Sequence, residues 1–223
     1  MLHSGSRGIG HAIATKHIDG AKKRMKEYFI TLPDPDLAYL VEDTPEFDAY
    51  ITDMLWAQEY AMGNRQAMMD AVLHAMALVF DKNIKPLQVI NCHHNFTERE
   101  HHHGRNMWIT RKGAIRARDG DRGVIPGSMG ARSYIVSGLG SAASYCSCSH
   151  GAGRRMSRSE AKRQLDVDGL VQQMEGIAWN GNAEALIDED PRAYKNIDEV
   201  MDAQVDLVTV EHELHQVLNY KGV

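Results

Sequence analysis

The sequence predicts an α+β fold in which long helices come first and a strand-rich region with glycine turns follows. Apolar or small residues recur at helical spacing over 8–31 and again over about 45–81, and Pro33-Asp34-Pro35-Asp36 interrupts the pattern between them. From residue 86 onward, short apolar runs are separated by glycine turns. Because the helical segments precede the strands instead of alternating with them, the order favours α+β.

The later elements are short. Candidate strands cover 86–92, 106–111, 122–126, 133–138 and 143–148, and a short helix covers 157–165. Residues 176–180 and 184–188 are further candidate strands, 197–205 reads as a helix, and 207–219 as a final strand with alternation. The run His101-His102-His103 could bind a metal, but its context favours a solvated loop.

Composition restricts the functional class. The chain has 223 residues and a net charge of −5, which predicts one domain with a core of its own and argues against nonspecific nucleic-acid binding. Basic residues cluster over 99–122 and 154–163, before an acidic tail; this suits a phosphate-bearing ligand and equally a solvated strand face.

Cysteine use and hydropathy favour a cytoplasmic protein with no membrane partner. The three cysteines form no disulfide framework, and Cys146-x-Cys148 is too closely spaced for a structural zinc site, so buried strand cysteines are expected there. No apolar run is long enough to span a membrane, and no signal segment opens the chain.

The segment 147–154, Ser-Cys-Ser-His-Gly-Ala-Gly-Arg, is the strongest local indication of chemistry. Gly151 and Gly153 lack side chains, so a ligand can approach the backbone and bare N–H groups can face an anion. A helix start near Ser157 follows, and His150 stands directly before the glycines. The pattern indicates a phosphate site with a nucleophilic or ligating histidine; a glycine turn with an incidental histidine remains the alternative.

Three other polar turns share this character, over 2–11, 91–95 and 125–130. Three of the four turns carry histidine, which predicts loops that converge on one site. The sequence has no Gly-x-x-x-x-Gly-Lys-[Ser/Thr] motif, so nucleotide binding would not be of the P-loop type.

Taken in order, these motifs resemble the RtcB-type RNA ligases, the GTP- and manganese-dependent enzymes of tRNA splicing and RNA repair. The resemblance rests on HSGSRGIG, INCHHNF, TRKGA, IPGSMG, SYIV, CSCSHGAGR, AYKNIDEVM and the final YKG, is closest to the bacterial branch, and covers essentially all of the chain. It implies that residues 1–223 form the C-terminal part of a single RtcB-like catalytic domain. The family's earlier glycine-rich Asp/Cys metal motif and Gly-Asn-His-Phe motif have no counterpart here.

The resemblance also implies roles for particular residues. His150 matches the nucleophile that attacks the α-phosphate of GTP, and His3 and His94 match ligands of a site that holds two Mn²⁺ ions. His93 could compete with His94, but neighbouring residues of an extended strand point to opposite faces, and the motif favours His94. The positions that match guanylate contacts are His94, Asn95, Pro126, Gly127, Ser128, Met129, Ser133, His150, Gly151, Ala152, Gly153, Tyr194 and Lys221. Tyr194 could equally be a core residue.

The implied reaction joins an RNA 3′-phosphate or 2′,3′-cyclic phosphate end to a 5′-hydroxyl end through a histidine–GMP intermediate, with RNA and GTP as partners. Three alternatives stay open. They are an inactive or split-ligase fragment that retains guanylate or RNA binding and requires an N-terminal half in trans, a metal-dependent phosphohydrolase, and a structural module. A site with two histidines and no other metal ligands should bind metal weakly, so we expect the chain alone to be crippled as a ligase.

Overall fold

The computed structural model describes residues 1–180 and 182–222 and confirms the α+β class. The chain divides into two compact units, Met1–Asn91 and Cys92–Val223. The first is helical, and the second holds every strand found among the described residues. The assignment of the whole chain to one catalytic domain stays a prediction.

The first unit consists of two helices and the turn between them. Helix α1 spans Arg7–Glu27, a 3₁₀ turn spans Pro35–Leu37, and α2 spans Pro45–Phe80. Thr44 begins α2 by accepting a hydrogen bond from the Phe47 N–H (3.3 Å), with Pro45 in the first turn, where a missing N–H costs nothing. The two predicted long helices are thus confirmed, although α1 ends four residues before the predicted boundary.

Polar contacts fasten α1 to α2. His17 lies 2.8 Å from the Asp53 carboxylate, and its ring meets Tyr50 edge-on at 5.3 Å. Further along α1, Arg24 forms an ion pair with Glu46 of α2. Few side chains are buried here, so such contacts and not a large core set the register of the pair.

Helix α2 also holds the two ends of this unit. Asn64 donates to the Ser4 hydroxyl and to the Gly5 carbonyl, at 3.1 Å each. Arg65 donates to the Ser4 carbonyl (3.4 Å) and to the Asn91 side-chain oxygen (2.7 Å). Residues at the two ends of the unit therefore share one guanidinium group.

The described part of the second unit, residues 92–180 and 182–222, contains nine strands. Strands β1 (Asn95–His102) and β2 (Arg105–Lys112) form an antiparallel hairpin, and β3 (Ala114–Arg116) pairs with β6 (Ser147–Ser149). Strands β4 (Arg122–Ile125), β5 (Ser133–Gly138) and β8 (Val208–Leu214) form an antiparallel sheet in that order. Strand β7 (Ala178–Trp179) is parallel to β9 (Leu218–Asn219).

Its described residues also form four short α-helices: α3 (Arg158–Gln164), α4 (Val167–Gln173), α5 (Ala183–Leu186) and α6 (Ile197–Asp202). The main core joins Ile115, Ile125, Val136, Cys148 and Val208 to residues of α6. A second cluster packs Met129 against Leu170, Met174 and Leu186. The short strands are stabilised because both clusters bury one side of them against helices.

Several predicted elements are wrong. Residues 86–92 form no strand, and Leu87 and Val89 are exposed, because this apolar run has no partner strand to cover it. Residues 184–188 are helical: Asn182 caps α5 by accepting hydrogen bonds from the N–H groups of Glu184 and Ala185. The predicted strand 207–219 is two strands, β8 and β9, in different sheets.

The histidine run is not the solvated loop that the sequence suggested. His101 and His102 belong to β1, and only His103 lies in the turn that follows. His102 is buried and lies 2.9 Å from the Glu100 carboxylate. The sequence did not predict this strand because β1 is rich in charged residues and lacks an obvious apolar face.

Cys148 lies within β6, and Cys146 lies just before it. Residues 142–144 form a 3₁₀ turn, so the strand predicted over 143–148 is confined to Ser147–Ser149. Cys148 is buried in the core, as expected, whereas Cys146 is half-buried just before the strand. None of the described helices has the length and apolar character needed to cross a lipid bilayer.

Candidate functional site

Two predicted site histidines lie side by side in the second unit. The rings of His94 and His150 are stacked, with centroids 4.5 Å apart and planes 8° from parallel. His94 immediately precedes β1, and His150 immediately follows β6, so two separate strands deliver them. Both side chains are half-buried, which leaves part of each ring accessible to a ligand.

Gly113 joins the backbones of these histidines. Its N–H donates to the His94 carbonyl (2.8 Å), and its own carbonyl accepts from the His150 N–H (3.3 Å). The same N–H lies 3.1 Å from the Asn95 side-chain oxygen. Gly113 adopts φ +69°, a conformation that costs glycine little and other residues more. The link between β2 and β3 thereby fixes the separation of the two histidines.

His93 and His94 have different ring partners. The His93 ring lies 5.6 Å from the Phe96 ring, whereas the His94 ring lies against His150. The preference for His94 over His93 as a metal ligand stays a prediction.

The turn between β4 and β5 lies beside the residues that follow His150. The Pro126 carbonyl accepts the Ala152 N–H (3.2 Å), and a Cβ on Gly151 would lie 2.9 Å from that carbonyl oxygen. Within the turn, the Gly127 N–H donates to the buried Ser133 hydroxyl (3.3 Å). Glycine is required at 151 because any side chain would push these two segments apart.

Ser128 and Met129, in the same turn, are both buried. Gln216 donates to the Ser128 carbonyl (2.5 Å), and the Met129 side chain packs in the second core cluster. Met129 can therefore face a ligand through its backbone only. Its side chain acts as an anchor that holds the turn in place.

One of the two glycine N–H groups expected to be bare is used within the fold. The Gly151 N–H donates to the Ser149 hydroxyl (3.3 Å), and the neighbouring Ala152 N–H donates to the Pro126 carbonyl. The start of α3 is likewise closed, because Ser157 and Glu160 form a capping box. The expectation of a bare N–H group at Gly151 is therefore wrong, and the one at Gly153 stays a prediction.

Tyr194 and Lys221 meet at one carboxylate. The Tyr194 hydroxyl donates to Glu189 (2.7 Å), and the Lys221 ammonium lies 3.3 Å from the same carboxylate oxygen. Arg154 donates to the Tyr194 hydroxyl (3.0 Å), and its guanidinium carbon lies 4.9 Å from the centre of the tyrosine ring. Two of the predicted guanylate contacts therefore belong to one polar cluster next to Gly153.

Burial and the neighbouring carboxylate shape the chemistry of this cluster. Burial, reinforced by the hydrogen bond to Glu189, raises the pKa of Tyr194 to about 12. Burial alone would raise the pKa of Glu189, but the Tyr194 hydroxyl and the Lys221 ammonium more than offset it, and that pKa lies below its usual value. At neutral pH the cluster consists of a carboxylate, a phenol and two cations.

The backbone fixes the position of Lys221. Asn180 accepts from the Lys221 N–H (2.9 Å) and donates to the Lys221 carbonyl (3.1 Å), beside the pairing of β7 with β9. The Lys195 N–H donates to the Gly153 carbonyl (3.0 Å), which joins the tyrosine segment to the end of the glycine turn.

A cavity of about 620 Å³ opens on this face of the second unit. Ser128 and Tyr194 both line it, together with the cations Arg132, Arg155, Arg192 and Lys195. Arg132 and Arg192 are paired with the carboxylates of Asp198 and Asp190. No carboxylate among the described residues pairs with Arg155 or Lys195, so these two side chains make the cavity favourable to an anion. Its volume is in the range of pockets that hold small ligands.

Comparison with known proteins decides the family. A family model described as "tRNA-splicing ligase RtcB" matches residues 1–222. The chain belongs to the RtcB family. It is 52% identical to RNA-splicing ligase RtcB1 of an Escherichia coli strain, across the whole chain and 55% of that relative. It is 33% identical to RNA-splicing ligase RtcB of Mycobacterium tuberculosis, across 91% of the chain and 51% of that relative.

A further relative matches at the same level of identity as the Mycobacterium tuberculosis protein. The tRNA-splicing ligase RtcB of Aeropyrum pernix is 33% identical across 90% of the chain and 47% of its own length. The chain thus spans about half the length of the curated RtcB relatives it matches. The bacterial branch inferred from the motifs is confirmed by the Escherichia coli matches.

His3, the other predicted metal ligand of this RtcB-family chain, lies in the first unit. It occupies the exposed segment that precedes α1, next to the buried Ser4 that Asn64 holds. Among residues 1–180 and 182–222, no three or more His, Cys, Asp or Glu side chains form a group that could hold a metal. His94 and His3 are suitable nitrogen donors, but they do not make a complete ligand set in the described residues.

Sequence reasoning missed three contributors to the candidate site. Gly113 stands in the quoted TRKGA motif, and Arg154 ends HGAGR, yet neither was assigned a role. Their functions depend on hydrogen bonds to distant residues, which no local pattern displays. Glu189 gave no signal beyond its place in an acidic stretch.

Proposed function

We propose that the second unit carries the nucleotide-transfer site of an RNA ligase that joins 3′-phosphate or 2′,3′-cyclic phosphate ends to 5′-hydroxyl ends, in the cytoplasm, with GTP as co-substrate. The observation that carries the proposal is the stacked pair His94 and His150, held by Gly113 beside the glycine turn. The names of the RtcB relatives, which describe RNA-splicing and tRNA-splicing ligases, support the substrate class.

In the first step, a His150 ring nitrogen attacks the α-phosphorus of GTP. An N–P bond forms, the bond from that phosphorus to the bridging oxygen breaks, and pyrophosphate leaves. A Cβ built on Gly113 would lie 3.6 Å from His150 Nδ1, so this nitrogen faces the backbone between β2 and β3. We therefore assign the attack to Nε2, on the other side of the ring, while Nδ1 releases the proton.

In the second step, an oxygen of the RNA 3′-phosphate attacks the same phosphorus, and the N–P bond breaks to regenerate His150. In the third, the RNA 5′-hydroxyl attacks the activated 3′-phosphate, loses its proton, and expels GMP. Activation is needed because a phosphate monoester has no good leaving group for an alcohol to displace. A cyclic phosphate end must first be opened by water.

The remaining predicted residues bind the guanylate in this proposal. Tyr194 offers an aromatic face and Lys221 a cation beside Glu189, and the glycine turn lets the nucleotide approach the backbone of Gly153. Asn95, at the start of β1, contributes polar atoms next to His94, and Ser128 and Ser133 contribute polar atoms in and beside the turn between β4 and β5. The adjoining cavity gives the nucleotide room, and the charges of Arg155 and Lys195 favour an anionic ligand.

We propose that the chain binds Mn²⁺, with His94 in the second unit and, separately, His3 in the first unit as the predicted donors. Further ligands would come from phosphate oxygens, water or other protein segments, because the described residues supply no larger set. Such an ion, when bound, neutralises phosphate charge and stabilises the departing pyrophosphate. Holding His94 against His150 is the contribution of the chain itself.

The deciding experiment is the intact mass of the protein after incubation with GTP and Mn²⁺. We expect a gain of one GMP, stable to denaturation and absent from His150→Ala. His74→Ala is the matched control, because His74 is exposed on α2 and does not line the cavity. An adduct that persists in His150→Ala would refute the assignment of the nucleophile, and phosphate release without an adduct would favour a hydrolase.

RNA sealing is tested separately. A 3′-phosphate RNA and a 5′-hydroxyl RNA are incubated with the chain alone, and then with the chain plus the N-terminal half of the 52%-identical relative. We expect little joining by the chain alone and more after addition of that half. Equal joining under the two conditions would contradict the proposed need for a partner half.

A further inference from the structure

We infer that Arg111 is a positioning residue of the nucleotide-transfer site: it fixes the strand that carries His150 against the hairpin that begins next to His94. The inference rests on the proposed function for its catalytic consequence. Its structural part, the spacing of the two rings, stands independently of which reaction they serve.

Arg111 contacts three parts of the second unit at once. Its guanidinium pairs with Glu100 on the neighbouring strand β1. Its Nε donates to the Ser147 hydroxyl (2.9 Å) at the start of β6, and an Nη donates to the Tyr145 carbonyl (2.9 Å). The guanidinium carbon also lies 5.2 Å from the centre of the Phe96 ring. One side chain thus spans the hairpin and the segment that leads to His150.

These attachment points flank the reactive pair. Strand β1 begins at Asn95, directly after His94, and β6 ends at Ser149, directly before His150. Arg111 itself lies two residues before Gly113, whose backbone binds both histidines. Gly113 therefore fixes the backbone at the two histidines themselves. Arg111 fixes β1 and β6, the strands next to them, at points further from the rings.

The cost of burying this charge indicates that it serves a purpose beyond packing. Arg111 is 2% exposed and Glu100 is 5% exposed. Glu100 is further contacted by His102 (2.9 Å) and Arg118 (3.3 Å). A buried ion pair seldom stabilises a fold more than apolar residues of similar size would. What apolar residues could not supply is the directed set of hydrogen bonds to Ser147 and Tyr145.

The test separates position from stability with four variants. Arg111→Met removes the guanidinium. Arg111→Lys keeps a positive charge but loses the planar group that donates hydrogen bonds to several partners at once. The double variant Glu100→Leu with Arg111→Met removes the buried charge from both partners, which should restore folding. Arg122→Met is the matched control, because Arg122 also pairs with a carboxylate, on β4 against Glu211 of β8.

Two readouts are measured well below the melting temperature. The first is the NOE between the His94 and His150 ring protons in protein with labelled histidine, with the ring-proton shifts. The second is the rate constant of GMP attachment and the GTP concentration that gives half of the maximum rate. We expect the folded double variant to lose the NOE and to react about tenfold or more slowly, with the half-saturating GTP concentration changed by less than about twofold.

The Lys variant should recover little, and Arg122→Met should match the wild type in both readouts. A double variant that folds and keeps the wild-type NOE would overturn the inference, because Arg111 would then serve stability alone. If the wild type forms no GMP adduct, the proposed function fails while the NOE still decides the role of Arg111.

Discussion

Replacing Gly113 with alanine should cost both stability and reactivity. At φ +69° an L-residue is disfavoured by about 1–2 kcal/mol, and the reduced entropy of the unfolded chain recovers part of this. We therefore expect a net loss of about 1 kcal/mol in the free energy of unfolding, and a fall of about 2–4 °C in Tm. The added Cβ would lie 3.6 Å from His150 Nδ1, an ordinary contact, so backbone strain and not a clash is the cause.

Relief of that strain would move both hydrogen bonds of Gly113. Because these bonds hold His94 and His150, a shift of a few tenths of an ångström changes the stacking of their rings. A displacement of about 1 Å in a reacting group can cost about a hundredfold in rate, so we expect GMP attachment to slow by about tenfold.

Gly104 provides a matched comparison. It lies at the other end of β2, adopts φ +75°, and has no atom within 4 Å of an added Cβ. Gly104→Ala should lose about the same stability by thermal unfolding and react with GTP at the wild-type rate. If the two variants lose equal stability and label equally fast, Gly113 has no role in positioning and the reasoning is refuted.

Three other outcomes are expected. Burial raises the pKa of Glu100, but the hydrogen bonds from Arg111 and His102 outweigh burial and lower the pKa from 4.5 to about 2. The ionised Glu100 carboxylate therefore stabilises the fold fully above pH 4.5, and this stabilisation is lost as the pH falls through about 2. The difference in unfolding free energy between wild type and Glu100→Gln should shrink by about 3 kcal/mol over this range in denaturant titrations, and a constant difference would contradict it. Tyr194→Phe should cost about 1 kcal/mol, because Glu189 and Arg154 lose a hydrogen-bond partner; chemical denaturation measures this, and an unchanged midpoint would argue against the cluster. Burial, with Cys92 nearby, raises the pKa of Cys148 to about 12, so alkylation followed by peptide mass analysis should find it modified after Cys92 and Cys146; equal rates would show that Cys148 is accessible.

The long helices were predictable because their signals are local. Helix α2 has a Thr44 cap, a proline in its first turn and a sustained apolar spacing, all of which lie within the helix itself. The strands were less predictable. The apolar run over 86–92 lacks a partner, whereas β1, which is full of charges, is a strand because β2 pairs with it along its entire length. Pairing is a property of two segments, and one segment alone does not display it.

The candidate site, like the fold, was only partly predictable from the sequence. The motifs singled out His94 and His150, but their stacking depends on Gly113, whose hydrogen bonds reach residues far away in the chain. The expected anion nest illustrates the opposite error: the glycines were recognised, yet the Gly151 N–H already donates to the Ser149 hydroxyl. The residue types of a loop determine which ligands it could bind. The segments that pack against the loop determine which of its polar groups stay available for binding.

The guanidinium of Arg65, which touches both Ser4 and Asn91, has a topological consequence. Ser4 and Asn91 lie at opposite ends of the helical unit in the sequence, and one side chain holds them close together. Lengthening or shortening both helices by whole turns at their other end would leave this contact unchanged. Insertions should therefore be better tolerated near residues 28–44 than beside Arg65.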